Sequence, residues 1–256
     1  HHGFSSSKPV VMWDTQTLAT IRTIPVEGGP DGILFDPATQ HVFILSHRAP
    51  NATVIDSRDG SVVGTIDLGG APEQGASDGR GRLYFDIEDK DNVAAVDAKT
   101  LQVTAHYDLS AKAHAPAGLA LDARHHILFA YCRNPATCVI LNADDGRILA
   151  TLPTGSGVDG AVFNPDTEEA FSSHGDGTLT VIKENSPTDF VVEQNVTTKV
   201  GAKTCTLDSK TGRVLLITAD RAPAPAPNPA APATPGRRGG RGQMVPDSFT
   251  LLAVGR

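Results

Sequence analysis

The chain has only three cysteines in 256 residues: Cys132, Cys138 and Cys205. That is too few for a disulfide-built scaffold, and their spacing is not that of a zinc site. No run of about 18 or more apolar residues occurs, so nothing reads as a transmembrane helix. No apolar stretch follows the opening His1-His2-Gly3, so no signal peptide is read there. Positive charge is not in excess either. The formal net charge of −7 favours solubility and argues against a nucleic-acid backbone as the main partner. Helical periodicity is absent as well, which sets aside a two-layer α/β enzyme.

What the chain does have is glycine and proline, 25 and 18 residues, as expected of a protein with many tight turns. It also has a repeat. The blocks Ile33-Leu34-Phe35-Asp36, Gly75-Ala76-Ser77-Asp78, Leu119-Ala120-Leu121-Asp122, Ala161-Val162-Phe163-Asn164 and Cys205-Thr206-Leu207-Asp208 end at intervals of 42, 44, 42 and 44 residues. Each unit carries four strand signals. In the first complete unit these are 31–36, His41 to Leu45, Thr53 to Asp56, and Val62 to Leu68 after the tight turn Ser57-Arg58-Asp59-Gly60. Four short antiparallel strands in about 40–45 residues make one propeller blade. A β-sandwich also has many short strands, but it does not repeat its sequence at this period. The fold class expected is an all-β propeller of four-stranded blades, in a single domain over residues 1–256.

The unit Val42-Phe43-Ile44-Leu45-Ser46, Asn51-Ala52-Thr53-Val54-Ile55-Asp56, Gly60-Ser61-Val62-Val63-Gly64-Thr65-Ile66 resembles the YVTN-repeat β-propellers of bacteria. Leu45-Ser46 stand in place of the Thr-Asn of that repeat. The resemblance runs from about Val10 to Arg256 and implies fold more than activity, since such propellers serve many tasks. It also implies export, to the periplasm or beyond. The unit before residue 31 and the last unit each show three strands instead of four, which would leave sheet edges bare. The expectation is therefore part of a seven-bladed ring lacking one to two N-terminal blades. A Pro/Gly/Arg-rich stretch, 222–246, interrupts the last blade between its second and third strands. It is expected to be disordered, with Arg237–Arg241 a solvated loop and not a nucleic-acid contact.

Cys132 and Cys138 flank Arg133-Asn134-Pro135-Ala136-Thr137, read as a hairpin loop. Antiparallel residues at the base of a short loop can meet the Cβ spacing of a disulfide. The pair reads either as two buried thiols or as a bridge, and a bridge would mean an oxidising compartment. The bridge is the expectation taken forward.

Strand polarity brings the starts of first strands and the ends of second strands to one mouth of the ring. Asp31, Glu73, Asp159 and Lys203 come from the former. His47, Arg48, Glu88, Arg133, Asn134, His174 and Asp220 come from the latter, and His125 and His126 fall on the opposite face. Carboxylates with histidines can hold a divalent cation, for which Glu73, Asp31 and Asp159 are the candidates. The same charges can bind a small polar ligand or a protein partner, or simply pair. Two functions remain open: a binding scaffold working through the mouth, and a lactonase-like hydrolase with a cation in the channel.

Overall fold

The computed structural model describes residues 2–5, 9–49, 51–223 and 242–255. The first sheet holds β1 (His2–Phe4), β2 (Val10–Asp14) and β3 (Thr20–Ile24). The second holds β4 (Pro30–Asp36), β5 (His41–Ser46), β6 (Ala52–Asp56) and β7 (Val62–Ile66). The third holds β8 (Pro72–Ser77), β9 (Arg82–Ile87), β10 (Asn92–Asp97) and β11 (Gln102–Asp108). In the fourth are β12 (His114–Asp122), β13 (Ile127–Asn134), β14 (Ala136–Asn142) and β15 (Ile148–Pro153). The fifth contains β16 (Val158–Asn164), β17 (Glu169–His174), β18 (Thr178–Ser186) and β19 (Asp189–Thr197). The sixth contains β20 (Thr204–Asp208), β21 (Arg213–Thr218) and β22 (Thr250–Val254). Every sheet is an antiparallel meander with its strands in chain order.

Burial explains the sequence of each strand. In the second to fifth sheets, the second and third strands lie between neighbouring sheets and are covered on both faces. β5 and β6 are accordingly buried along almost their whole length and read as continuous apolar runs. Outer strands such as β3 and β7 are mostly exposed. Core layers form between sheets. Phe43, Leu45 and Val54 meet Leu83, Phe85 and Val96, and Phe129, Tyr131 and Ile140 meet Val158, Ala161 and Ile182. Two of the turns between first and second strands are closed by an Asp-x-x-Thr device. The Asp36 carboxylate accepts from Thr39 N at 2.9 Å, and Asp208 from Thr211 Oγ1 at 2.7 Å. Among the described residues, no helix is long and apolar enough to cross a membrane.

Three expectations need correction. Six sheets are present among the described residues, and a seven-bladed ring lacking blades is not supported. The 42–44-residue period sets the size of a blade, but blade number depends on the angle between sheets, which the period does not encode. The first and sixth sheets have three strands, as the sequence suggested. Apolar residues stay exposed on both, with Ile21 of β3 at 47% in the first sheet and Ile217 and Leu251 at 44% and 60% in the sixth.

The Cys132–Cys138 bridge is absent. The hairpin closes on Arg133 opposite Ala136, so Cys132 lies opposite Thr137, and Cys138 opposite Tyr131. A one-residue offset sends two side chains to opposite faces of a sheet. Cys132 packs toward the third sheet and Cys138 toward the fifth.

The insertion is also shorter at its ends than expected. Arg221 pairs with Met244, and Ala222 N donates to Gln243 O at 2.8 Å. The expectation of disorder for the rest, including Arg237–Arg241, lies outside the described residues.

Candidate functional site

The first strands of the sheets line the channel, and each of β4, β8, β12 and β16 is bulged near its start. A bulge turns a side chain away from its regular face. Counted back from the Asp or Asn that ends each strand, Asp31, Glu73, Ala117, Asp159 and Lys203 occupy one repeat position. His47, Glu88, Arg133, Gly175 and Ala219 occupy another, six residues on from the start of the second strand. Two positions of one repeat thus write a ring of charges around the mouth.

Arg133 is the hub. It is 20% exposed, and its Nε donates to Val158 O at 3.1 Å. Its Nη1 pairs with Glu88, while Nη2 faces Asp159 at 3.3 Å and Glu73 at 3.7 Å. Lys203 pairs with Asp159 from the other side. His47 Nε2 lies between Asp31 at 3.4 Å and Glu73 at 3.3 Å. A cavity of about 360 Å³ opens between β4, β8, β16 and β20, lined by Asp31, Glu73, Gln74, Asp159 and Thr204 among others.

Beneath the ring sits Gln74. Its Oε1 accepts from Leu119 N at 3.1 Å and from Ala161 N at 3.0 Å, and its Nε2 donates to Ala161 O at 2.8 Å. One amide therefore joins β8 to β12 and β16 across the channel. The equivalent residues in three other sheets are Gly32, Gly118 and Gly160. A Cβ on Gly32 would meet Glu73 O at 2.7 Å, and one on Gly160 would meet Cys205 N at 3.1 Å. Glycine lets these strands approach, and Gln74 fills the space.

Two carboxyls here are strongly perturbed. Burial pushes Glu73 up to about 8, opposed by Arg133 and reinforced by Glu88 and Asp86. Asp86 is wholly buried, which raises it to about 7 against the hydrogen bond from Gln74 N at 2.6 Å. Its Oδ2 has no partner. Sequence reasoning missed Asp86 and gave Gln74 no role. The repeat itself carried the signal: Asp86 stands where other sheets have Leu45, Tyr131, Ser173 and Ile217.

The remaining expected mouth residues fare unequally. Arg48 and Asn134 are exposed at the rim, and Asp220 pairs with Lys199 at 2.8 Å. His174 is not at the mouth. It is fully buried, and its Nδ1–H donates to Thr178 O at 3.2 Å, so that Nε2 accepts from Ser172 Oγ at 3.1 Å. Burial lowers its pKa, in keeping with a neutral ring. Its repeat position lies one residue inside the strand from His47. The three carboxylates expected to gather a cation do not converge on one point: Asp31 meets Glu73 only through His47, and Asp159 is held by Arg133 and Lys203.

No protein-family model matches the chain, and no curated protein sequence matches it. Solved structures do. A chain of the mitotic checkpoint complex is similar at 14% identity and a TM-score of 0.71, over 84% of this chain and 67% of that one. The RRP9 WD40 repeats are similar at 10% identity and 0.71, over 84% and 68%. A chain of the hydrazine synthase of Kuenenia stuttgartiensis is similar at 13% identity and 0.68, over 82% and 70%. At these identities the likeness speaks for fold alone, and the fold is a WD40-like β-propeller.

Proposed function

We propose that the protein is an interaction scaffold that docks a protein partner on the rim of its charged mouth. The observation that carries this reading is the internally paired ring of charges above a channel that Gln74 bridges. Arg133, Lys203 and His47 already pair with Glu73, Glu88, Asp31 and Asp159, and Gln74 bridges the strands beneath them. What the ring leaves outward are rim groups such as Arg48 and Asn134, suited to contact with a folded surface. One similar propeller belongs to a mitotic checkpoint complex, which supports a partner-binding use of this architecture. The repeat resemblance to the YVTN propellers supports placement outside the cytoplasm, in the periplasm or secreted.

A second reading, acid–base chemistry of the lactonase-like kind, rests on Glu73, whose carboxyl is raised to about 8 beside the cavity. The test compares quantitative affinity capture from source cells by the wild type, by Arg48→Glu/Asn134→Ala at the mouth, and by Arg147→Glu on the opposite face. A partner lost only with the mouth variant supports the scaffold. Equal capture by all three overturns it. Turnover of lactones or esters that Glu73→Gln abolishes would move the protein to the second reading.

A further inference from the structure

On the face opposite the mouth, a second cluster joins the fourth and fifth sheets. Asp122 ends β12, His125 lies in the following turn, and Glu184 comes from β18. His125 Nδ1 lies 2.7 Å from Asp122 Oδ2 and 2.8 Å from Glu184 Oε1. The three donor atoms all lie within 4.8 Å of one another.

Three observations make this more than a polar contact. A single Nδ1 carries at most one hydrogen, yet two carboxylate oxygens approach it at full hydrogen-bond distance. The Glu184 side chain is 1% exposed, and its Oε2 is buried with no partner, an arrangement that costs free energy unless something compensates it. The cluster also departs from the repeat at two positions at once. His125 stands where three other turns have Thr39, Thr167 and Thr211, and Glu184 stands where the equivalent strands have Ser57, Ala98 and Ala143. The backbone is the same at these sites: Ser57, Ala98, Ala143 and Glu184 each donate N–H to the preceding turn. The donors are therefore additions to an unchanged frame.

We propose that Asp122, His125 and Glu184 form a binding site for one divalent transition-metal ion that staples the fourth sheet to the fifth. An imidazole with two carboxylates suits Zn²⁺ or a similar borderline ion better than Ca²⁺ or Mg²⁺, which favour all-oxygen sets. Glu184 Oε2 supplies a second oxygen for a bidentate grip. Asp122 is oriented by its other oxygen, which accepts from Arg124 N at 2.8 Å. His125 is 28% exposed, so the open side of the site faces solvent and a water ligand. The mouth trio Asp31, His47 and Glu73 lies within the same span but lacks these features. Asp31 is 64% exposed there, and the Arg133 guanidinium beside Glu73 repels a cation.

The metal-stripped full chain is titrated with Zn²⁺ by calorimetry, with bound metal counted by elemental analysis after dialysis. Co²⁺ absorption in the visible then reads the ligand field. Wild type is expected to hold one ion per chain. His125→Ala and Glu184→Gln are each expected to weaken binding by at least about tenfold, the loss that even an orienting partner produces, and to remove the Co²⁺ spectrum. His47→Ala at the mouth is expected to leave both unchanged. Melting curves in chelator establish that each variant is folded, and Glu184→Gln keeps the buried volume if His125→Ala does not fold. Absence of Zn²⁺ binding by wild type, binding that survives in both site variants, or binding lost in His47→Ala overturns the proposal.

Discussion

Replacing Asp86 by Asn removes a buried charge while keeping the acceptor that serves Gln74 N. The folded protein holds the Asp86 proton up to about pH 7, whereas an unfolded chain releases it near 3.8. Below 3.8 both states are protonated and the stabilisation is complete. Between 3.8 and about 7 the unfolded chain binds fewer protons, so stability falls as pH rises through this window. A rise from 3.8 to about 7, at about 1.4 kcal/mol per unit, sets a ceiling of about 4 kcal/mol. Asn mimics the neutral acid, so Asp86→Asn is expected to match wild type near pH 4 and to exceed it at pH 8 by a sizeable part of that amount. Urea unfolding of both proteins at pH 4, 6 and 8 measures the difference directly. A difference that is constant with pH, or one that favours wild type at pH 8, would refute the buried-charge argument. Arg133 would then have to neutralise Asp86 from farther away than its contacts with Glu73, Glu88 and Asp159 indicate.

Thiol titration in denaturant without reductant is expected to count three thiols, because Cys132 and Cys138 leave their sheet on opposite faces; a count of one would restore the bridge. Gln74→Ala strands two N–H groups and a carbonyl in the channel, with an expected loss of about 2–4 kcal/mol in urea unfolding. A loss under about 0.5 kcal/mol would mean water replaces the amide at no penalty. Tyr84 and Tyr107 both donate to Ala143 O, at 3.0 and 2.9 Å. Each Tyr→Phe change alone is expected to cost about 1 kcal/mol, and the pair more than the sum, since only the double variant leaves that carbonyl unpaired; strict additivity would count against a shared acceptor.

The fold was legible because the sheets repeat. The Asp36, Asp78, Asp122, Asn164 and Asp208 markers fall at first-strand ends, except that β8 stops one residue earlier, at Ser77. Strand polarity also gathered Glu73, Arg133, Asp159 and Lys203 at one mouth. What failed were matters of a single residue. The disulfide needed the hairpin register, which turned on Asn134-Pro135 forming a shorter turn than five residues. His174 needed the strand end placed one residue later. Asp86 lay inside an apolar run, where a charge is discounted unless the repeats are compared position by position. The pairing of Asp122 and His125 with Glu184 spans two sheets, and strand periodicity carries no such contact.

Gln74 has a consequence for motion. Its amide ties the third sheet to both the fourth and the fifth, while among the described residues the first and sixth sheets each meet one neighbour, through an apolar layer and bonds such as Arg22 Nη1 to Asp59 O and Ser173 Oγ to Lys203 O. Rigidity is thus concentrated at the centre of the chain and declines toward both flanks. The molecule should open like a fan from its outer leaves, and amide exchange in β2 and β21 should run ahead of exchange in β9 and β13 under conditions where the whole chain stays folded. A rim partner that gripped Asp31 on one side and Lys203 on the other would draw the leaves together, and the protein would register its own occupancy as a slowing of exchange far from the point of contact.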